Sequence, residues 1–133
     1  MFKLSKKVEY GLIAVKHIAA QSAGDILTAK EISDKYDIPY ELLSKVLQRL
    51  AKEKIIVSHQ GVKGGYTLSV NPDDLKISNL IEAIDGPQHI TECMSGRYEL
   101  CSQYETCIIK GPLTKLQSNI NGVFNKLTLS EII

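Results

Sequence analysis

Residues 28–70 read TAKEISDKYDIPYELLSKVLQRLAKEKIIVSHQGVKGGYTLSV, and their order of elements decides the fold. Thr28–Ala29–Lys30–Glu31 has the form of a capping box. The Thr28 hydroxyl and the Glu31 carboxylate each satisfy a backbone N–H that the first turn of a helix leaves unpaired. The short helix so opened runs to about Tyr36, Tyr36–Asp37–Ile38 turns the chain, and Pro39 suits the first position of the next helix. Over 39–53 the apolar spacing puts Leu42, Leu43, Val46, Leu47 and Leu50 on an inner face and leaves Tyr40, Glu41, Ser44, Lys45, Gln48 and Arg49 outside. Two short helices joined by a tight turn, the second polar and basic on its outer face, form a helix-turn-helix. Ile55–His59 and Tyr66–Val70 have strand composition on either side of the flexible turn 60–65, so a hairpin follows the recognition helix as a wing. Gly64–Gly65 is not a nucleotide cradle, because no helix follows it. Glycines at a hairpin tip serve the turn, and here they also let backbone approach a DNA phosphate.

Outward from this stretch, residues 5–22 read as an amphipathic helix capped by Ser5, with Val8, Leu12, Val15 and Ala19 at helical spacing and a break at Ala23–Gly24–Asp25. After a turn at Asn71–Pro72–Asp73, a short helix at about 78–85 carries Leu80, Ile81 and Ile84 and is stopped by Gly86–Pro87. From Pro112, Leu113, Leu116, Ile120, Val123, Phe124 and Leu127 mark a further helix. Little chain remains to cover that stripe, so a second subunit is its natural partner. Thr128–Leu129–Ser130–Glu131 offers a second capping box and a last helical turn. The fold class is therefore mainly α with a small β-hairpin wing. It divides into a winged helix-turn-helix unit (1–86), a cysteine-containing loop (87–110), and a dimerisation helix with a C-terminal turn (111–133).

At 133 residues, 44% of them hydrophobic and 23% charged, the composition is that of an ordinary globular domain able to bury a core. Lys3, Lys6 and Lys7 cut short the only apolar start, Met1–Phe2, so no secretory h-region is present, and no apolar run approaches a bilayer span. The cytoplasm is the simplest home, and its thiol pools keep cysteines reduced. The net charge of +1 divides unevenly: eleven Lys/Arg against seven Asp/Glu in residues 1–66, five against eight in residues 67–133. A basic first half hints at a polyanionic partner. No nucleophile–base pair or acid/base constellation stands out, so the sequence does not read as an enzyme.

Cys93, Cys101 and Cys107 fall within fifteen residues, in a polar stretch with no helical period, and no other position is cysteine. Three thiols cannot all pair within one chain, which makes a disulfide framework a poor explanation. The spacing C-x7-C-x5-C is not a ferredoxin signature. On spacing alone an iron–sulfur cluster, a zinc site and a redox thiol switch stand level.

Taken together, Leu4–Ser5–Lys6 with Tyr10, Gln48–Arg49–Leu50, Val62–Lys63–Gly64–Gly65–Tyr66, Ile81–Glu82–Ala83–Ile84–Asp85–Gly86, the three cysteines and the closing Leu-Thr-Leu-Ser-Glu resemble the Rrf2 family of bacterial transcription regulators, in its iron–sulfur form (NsrR- and IscR-like). The resemblance covers nearly the whole chain. It implies a homodimeric DNA-binding regulator, a repressor by expectation. Its operator affinity would follow an iron–sulfur cluster (4Fe-4S or 2Fe-2S) that responds to nitric oxide, redox state or iron–sulfur status. By position, Ser44 and Lys45 fall where family members read base edges, and Tyr40 and Glu41 lie in the same exposed turns. Arg49 and Lys52 read as phosphate contacts or solvated charge. Gln60 stands where some relatives place a minor-groove arginine, a departure that Lys63 would offset at phosphate.

The resemblance also bears on the ligands. Cys93, Cys101 and Cys107 would be three of four. IscR-type members place a histidine three residues after the last cysteine, where this chain has Lys110, which has no lone pair to give at neutral pH. NsrR-type members use a carboxylate from the first helix of the opposite subunit, and that position aligns with Glu9. His89 is the second candidate, and Glu92, Glu99 and Glu105 lie nearby without positional support. His17 and His59 fit structural or DNA-facing roles better. Two alternatives stand beside this reading: a winged-helix regulator with structural zinc or redox thiols, and an iron–sulfur or interaction module that does not bind DNA.

Overall fold

The computed structural model describes residues 3–22 and 24–132; Met1, Phe2, Ile133 and the Ala23 of the expected break lie outside them. Helix α1 (Lys6–Ala19) opens on Ser5, whose Oγ accepts from the Val8 N–H at 3.2 Å. Of the expected stripe, Val8 and Val15 are buried and Leu12 and Ala19 half-buried. Gly11 sits where α1 crosses its neighbours: a Cβ there would come within 2.4 Å of the Ile84 Cδ1.

Helix α2 (Ala29–Tyr36) carries both halves of the expected capping box. The Glu31 N–H donates to the Thr28 Oγ1 at 3.1 Å, and the Thr28 N–H donates to the Glu31 Oε2 at 3.4 Å. Asp37 ends the helix in the left-handed region at φ 53°, and the Ile38 N–H returns to the Ser33 carbonyl at 3.0 Å. Helix α3 (Tyr40–Lys52) begins one residue later than expected. Pro39 is its N-cap, and its carbonyl accepts the first helical bond from the Leu43 N–H at 3.0 Å. Leu43, Val46, Leu47 and Leu50 are buried, whereas Leu42 is half-buried.

Strands β1 (Ile56–His59) and β2 (Gly65–Leu68) pair antiparallel from Ile56 opposite Leu68 to His59 opposite Gly65. Leu27 adds a third, single-residue rung: its N–H donates to the Tyr66 carbonyl at 3.0 Å, and the Tyr66 N–H donates back at 2.8 Å. This rung gives Gly65 a structural role beyond the turn and the DNA approach expected from the sequence. Gly65 lies at φ 151°, and a Cβ there would stand 2.7 Å from the Leu27 carbonyl oxygen. Only glycine permits that approach of two backbones.

Helix α4 (Ile77–Asp85) buries Ile77, Leu80, Ile81 and Ile84 and stops at Gly86, φ 78°. The cysteine segment follows, then the long helix α5 (Lys110–Lys126) and a last turn, α6 (Leu129–Ile132). The C-terminal turn comes back to the first unit. The Ile77 N–H donates to the Leu127 carbonyl at 2.9 Å, the Leu129 N–H donates to the Leu75 carbonyl at 2.8 Å, and Leu129 is fully buried. Of the second expected capping box, the carboxylate half forms, with the Thr128 N–H donating to the Glu131 Oε2 at 2.9 Å. The Thr128 hydroxyl instead meets the Ser130 hydroxyl at 3.1 Å. One core thus joins α1–α4, β1 and Leu129. Truncating any of its fully buried leucines to alanine would cost about 2–5 kcal/mol.

Candidate functional site

The exposed face of α3 carries Tyr40, Glu41, Lys45, Gln48, Arg49 and Lys52, with Ser44 half-buried between them. In the hairpin, the Tyr66 phenol is raised above its ordinary pKa first by burial and then by the charge of Tyr40. At the hairpin tip, Gln60, Val62 and Lys63 are exposed, and the Gly64 N–H closes the turn on the Gly61 carbonyl at 3.0 Å. Helix face and wing tip are both open to solvent. His59 in β1 is held in place, its Nε2 2.8 Å from the Thr67 Oγ1. His17 of α1 is buried, its Nδ1 2.8 Å from the Tyr36 hydroxyl at the end of α2. Burial, and then the Lys35 charge, lowers its pKa.

Arg49 has a partner that sequence reasoning did not foresee. Its Nη1 donates to the Ile84 carbonyl at 3.0 Å, in the last turn of α4. One residue on, the Asp85 carboxylate accepts from the Ser5 hydroxyl, which also caps α1. The end of α4 is thus tied to both the recognition helix and the first helix, two residues before the cysteine segment begins.

That segment is built from three single turns of 3-10 helix, Glu92–Ser95, Tyr98–Leu100 and Tyr104–Thr106. Cys93 lies in the first, half-buried, its Sγ 3.1 Å from the Thr91 Oγ1. Cys101 and Cys107 end the second and third turns, exposed and half-buried respectively, and all three thiols are free. Tyr98, Cys101, Tyr104, Cys107 and Lys110 recur every third residue, the period of a 3-10 helix. The two tyrosine rings lie 5.1 Å apart, and the Lys110 ammonium sits 4.3 Å from the centre of the Tyr104 ring. A cation there is favoured by the ring quadrupole.

Among the described residues, no three His, Cys, Asp or Glu side chains converge closely enough to hold a metal ion. Glu9 pairs with Lys6 at 2.8 Å, and Glu92 lies 3.9 Å from Arg97. His89, Glu99 and Glu105 are exposed. The donor chemistry of three free thiols on one segment nevertheless fits an iron–sulfur cluster, and equally zinc.

Gln117 on α5 holds the start of the segment. It is buried; its Oε1 accepts from the Ile90 N–H at 2.7 Å, and its Nε2 donates to the Gln88 carbonyl at 3.1 Å and the Asn121 Oδ1 at 2.9 Å. The sequence holds one signal for it: an amide four residues after Leu113 and three before Ile120, inside the apolar stripe. The rest of that stripe is only partly covered. Leu116 and Val123 remain 48% and 58% exposed.

The Rrf2 family model, described as an iron-dependent transcriptional regulator, matches residues 4–133. The chain belongs to the Rrf2 family. The HTH-type transcriptional regulator NsrR of Bacillus subtilis is 27% identical over 131 residues, covering 98% of this chain and 90% of that protein. IscR of Pectobacterium atrosepticum is 28% identical over 131 residues, 98% of this chain and 79% of its own length. Among solved structures, CymR, the global cysteine regulator of B. subtilis, superposes with a TM-score of 0.73 at 20% identity, over 99% of this chain and 96% of that one. This Rrf2 chain is a DNA-binding transcriptional regulator on a winged-helix scaffold, and not an enzyme. Among the described residues, no helix is long and apolar enough to cross a membrane.

Proposed function

We propose that the protein is a homodimeric repressor whose operator affinity follows an iron–sulfur cluster held by Cys93, Cys101 and Cys107, with Glu9 of a second subunit as the fourth ligand. The observation that carries this reading is the set of three free thiols on one segment that begins where α4 is tied to α1 and α3. Its relatives named NsrR and IscR support the same reading. Glu9 stands on α1, half-buried, with only Lys6 as its ion-pair partner among the described residues. That leaves it accessible to a second copy. The uncovered Leu116 and Val123 on α5 supply an apolar face for pairing. In a two-fold dimer the two α3 helices would enter successive major grooves of a partly palindromic operator, with Tyr40, Glu41, Ser44 and Lys45 towards base edges and Lys63 towards phosphate.

When bound, the cluster supplies iron–sulfur bonds that nitric oxide and oxidants attack. The chain supplies the transmission. A shift of the segment at Gly86–Pro87 pulls on the last turn of α4. From there the Ser5–Asp85 and Arg49–Ile84 bonds carry the displacement to α1 and α3. Such a shift alters affinity only to the extent that DNA binds the two arrangements differently.

A metal-free thiol switch is the second reading, favoured by the spread of the three thiols within one chain. Protein purified without oxygen separates the two. The cluster reading expects a visible absorption band, with iron and sulfide in the preparation, that Cys→Ala at any of the three positions removes and Glu9→Ala weakens. Colourless protein, or a Glu9→Ala variant with unchanged cluster lifetime and unchanged operator affinity with and without the cluster, contradicts the ligand set.

A further inference from the structure

Val62 is wholly exposed, at 106% of its reference area. Single exposed apolar residues are ordinary, but this one stands in a braced frame. Val62 and Lys63 are the two central residues of the turn that the Gly64 N–H closes on Gly61. Gly64 has no room for a side chain, since a Cβ would lie 2.7 Å from the His59 carbonyl oxygen. Gly65 is held against the Leu27 backbone, and the His59 ring is held by Thr67. The tip is therefore a narrow, firmly supported point that presents two methyl groups beside an ammonium. The hairpin that carries it follows α3 directly, the Ile55 N–H returning to the Leu50 carbonyl at 3.0 Å.

With α3 in a major groove about 12 Å wide, a hairpin flanking it crosses one phosphate strand and arrives at the minor groove, about 6 Å wide. A two-residue tip fits that width. With Lys63 on the phosphate wall, Val62, its neighbour at the tip, would lie towards the floor. There the pairs differ chiefly by the guanine 2-amino group, a donor that A·T pairs lack. A methyl surface offers that donor no acceptor and displaces its water, so a G·C pair beneath it carries an unpaired polar group. We infer that Val62 is a specificity determinant that selects A·T over G·C pairs beneath the wing by excluding the guanine 2-amino group. This rests on the wing facing DNA, as proposed above.

The test uses the full-length protein and a duplex that it enriches from a random-sequence library. Base pairs beneath the wing are replaced in turn by A·T, G·C, inosine·C, which lacks the amino group, and 2,6-diaminopurine·T, which carries it. A·T and inosine·C should bind alike, with G·C and diaminopurine·T weaker by roughly five-fold per pair, the low end of the cost of a wrong base pair. Val62→Ser should bring all four within about two-fold without changing the melting temperature, while Gln60→Ala keeps the difference. The inference is overturned if affinity groups A·T with diaminopurine·T, if the native protein does not discriminate, or if Val62→Ser leaves the preference intact. Failure to enrich any duplex would instead overturn the reading of this face as DNA-binding.

Discussion

Replacing Gln117 by alanine removes three hydrogen bonds at once, and their surroundings decide what each is worth. Gln88 and Asn121 are exposed, so the Gln88 carbonyl and the Asn121 amide regain water and cost little. The Ile90 N–H is different. It donates at 2.7 Å from a half-buried residue, and without Gln117 it has a poor choice of partners. An unsatisfied donor of this kind costs about 1–3 kcal/mol, and the lost bonds add about 1 kcal/mol, for a local destabilisation of roughly 2–4 kcal/mol. Expressed as opening of the segment, that is roughly a 30- to 900-fold loss of amide protection at Ile90. Hydrogen exchange read residue by residue gives the answer directly. Ile90 should exchange faster by that factor, thiol labelling of Cys93 should accelerate, and the amides of Leu47 and Leu50 in α3 should keep their protection. Gln117→Glu, which retains the acceptor and loses the donated pair, should fall between. Ile90 protection unchanged within about three-fold would show that Gln117 does not hold the segment. An equal loss across α3 would show that it acts on the whole fold.

Three further outcomes follow from the same geometry. Gly65→Ala forces a Cβ against the Leu27 carbonyl at a left-handed φ, so the melting temperature should fall by the equivalent of about 1–3 kcal/mol, with the Tyr66 and Leu27 amides losing protection; an unchanged melt would refute the third rung. Burial holds the His17 pKa below the ordinary 6.5, so the unfolded chain takes up this proton first as pH falls. Stability should therefore be full above pH 6.5, decline as pH drops through that value, and level off below the lowered folded pKa. The decline should be shallower in His17→Gln urea melts, and an equal or steeper decline in the variant would contradict the assignment. Leu116→Glu combined with Val123→Glu should give a monomer in sedimentation with the core melt retained, because both side chains are outside the core; a persistent dimer would place the subunit contact elsewhere.

What was legible in the sequence was the part governed by local chemistry. The Thr28–Glu31 box, the leucine face of α3 and the stop at Gly86 depend on neighbours within a few residues, and they stand as expected but for Leu42, which is half-buried at the edge of that face. The departures arise from contacts between distant segments. Gly65 looks like a turn glycine until Leu27, 38 residues earlier, comes to lie against it. Arg49 reads as a free surface cation until the α4 carbonyl meets it, and Ser5 as a simple cap until Asp85 does. The donor set of the cysteine segment was legible because thiols are rare in this chain, while its anchor, Gln117, was hidden as a polar residue within an apolar period. The fourth ligand depends on how two chains meet, which no spacing within one chain encodes.

The central claim is that the state of the three-thiol site governs DNA affinity. Its most direct test is one titration of a single duplex, selected by the full-length protein without oxygen, against the same preparation before and after removal of iron, at fixed salt because phosphate contacts make affinity steeply salt-dependent. The account predicts a coloured starting protein and at least about a ten-fold change in dissociation constant, roughly 1.4 kcal/mol of coupling, that is absent when Cys101 is replaced by alanine. Equal affinities before and after, or an iron-free protein that already binds at full strength and is unmoved by iron and sulfide, would contradict it.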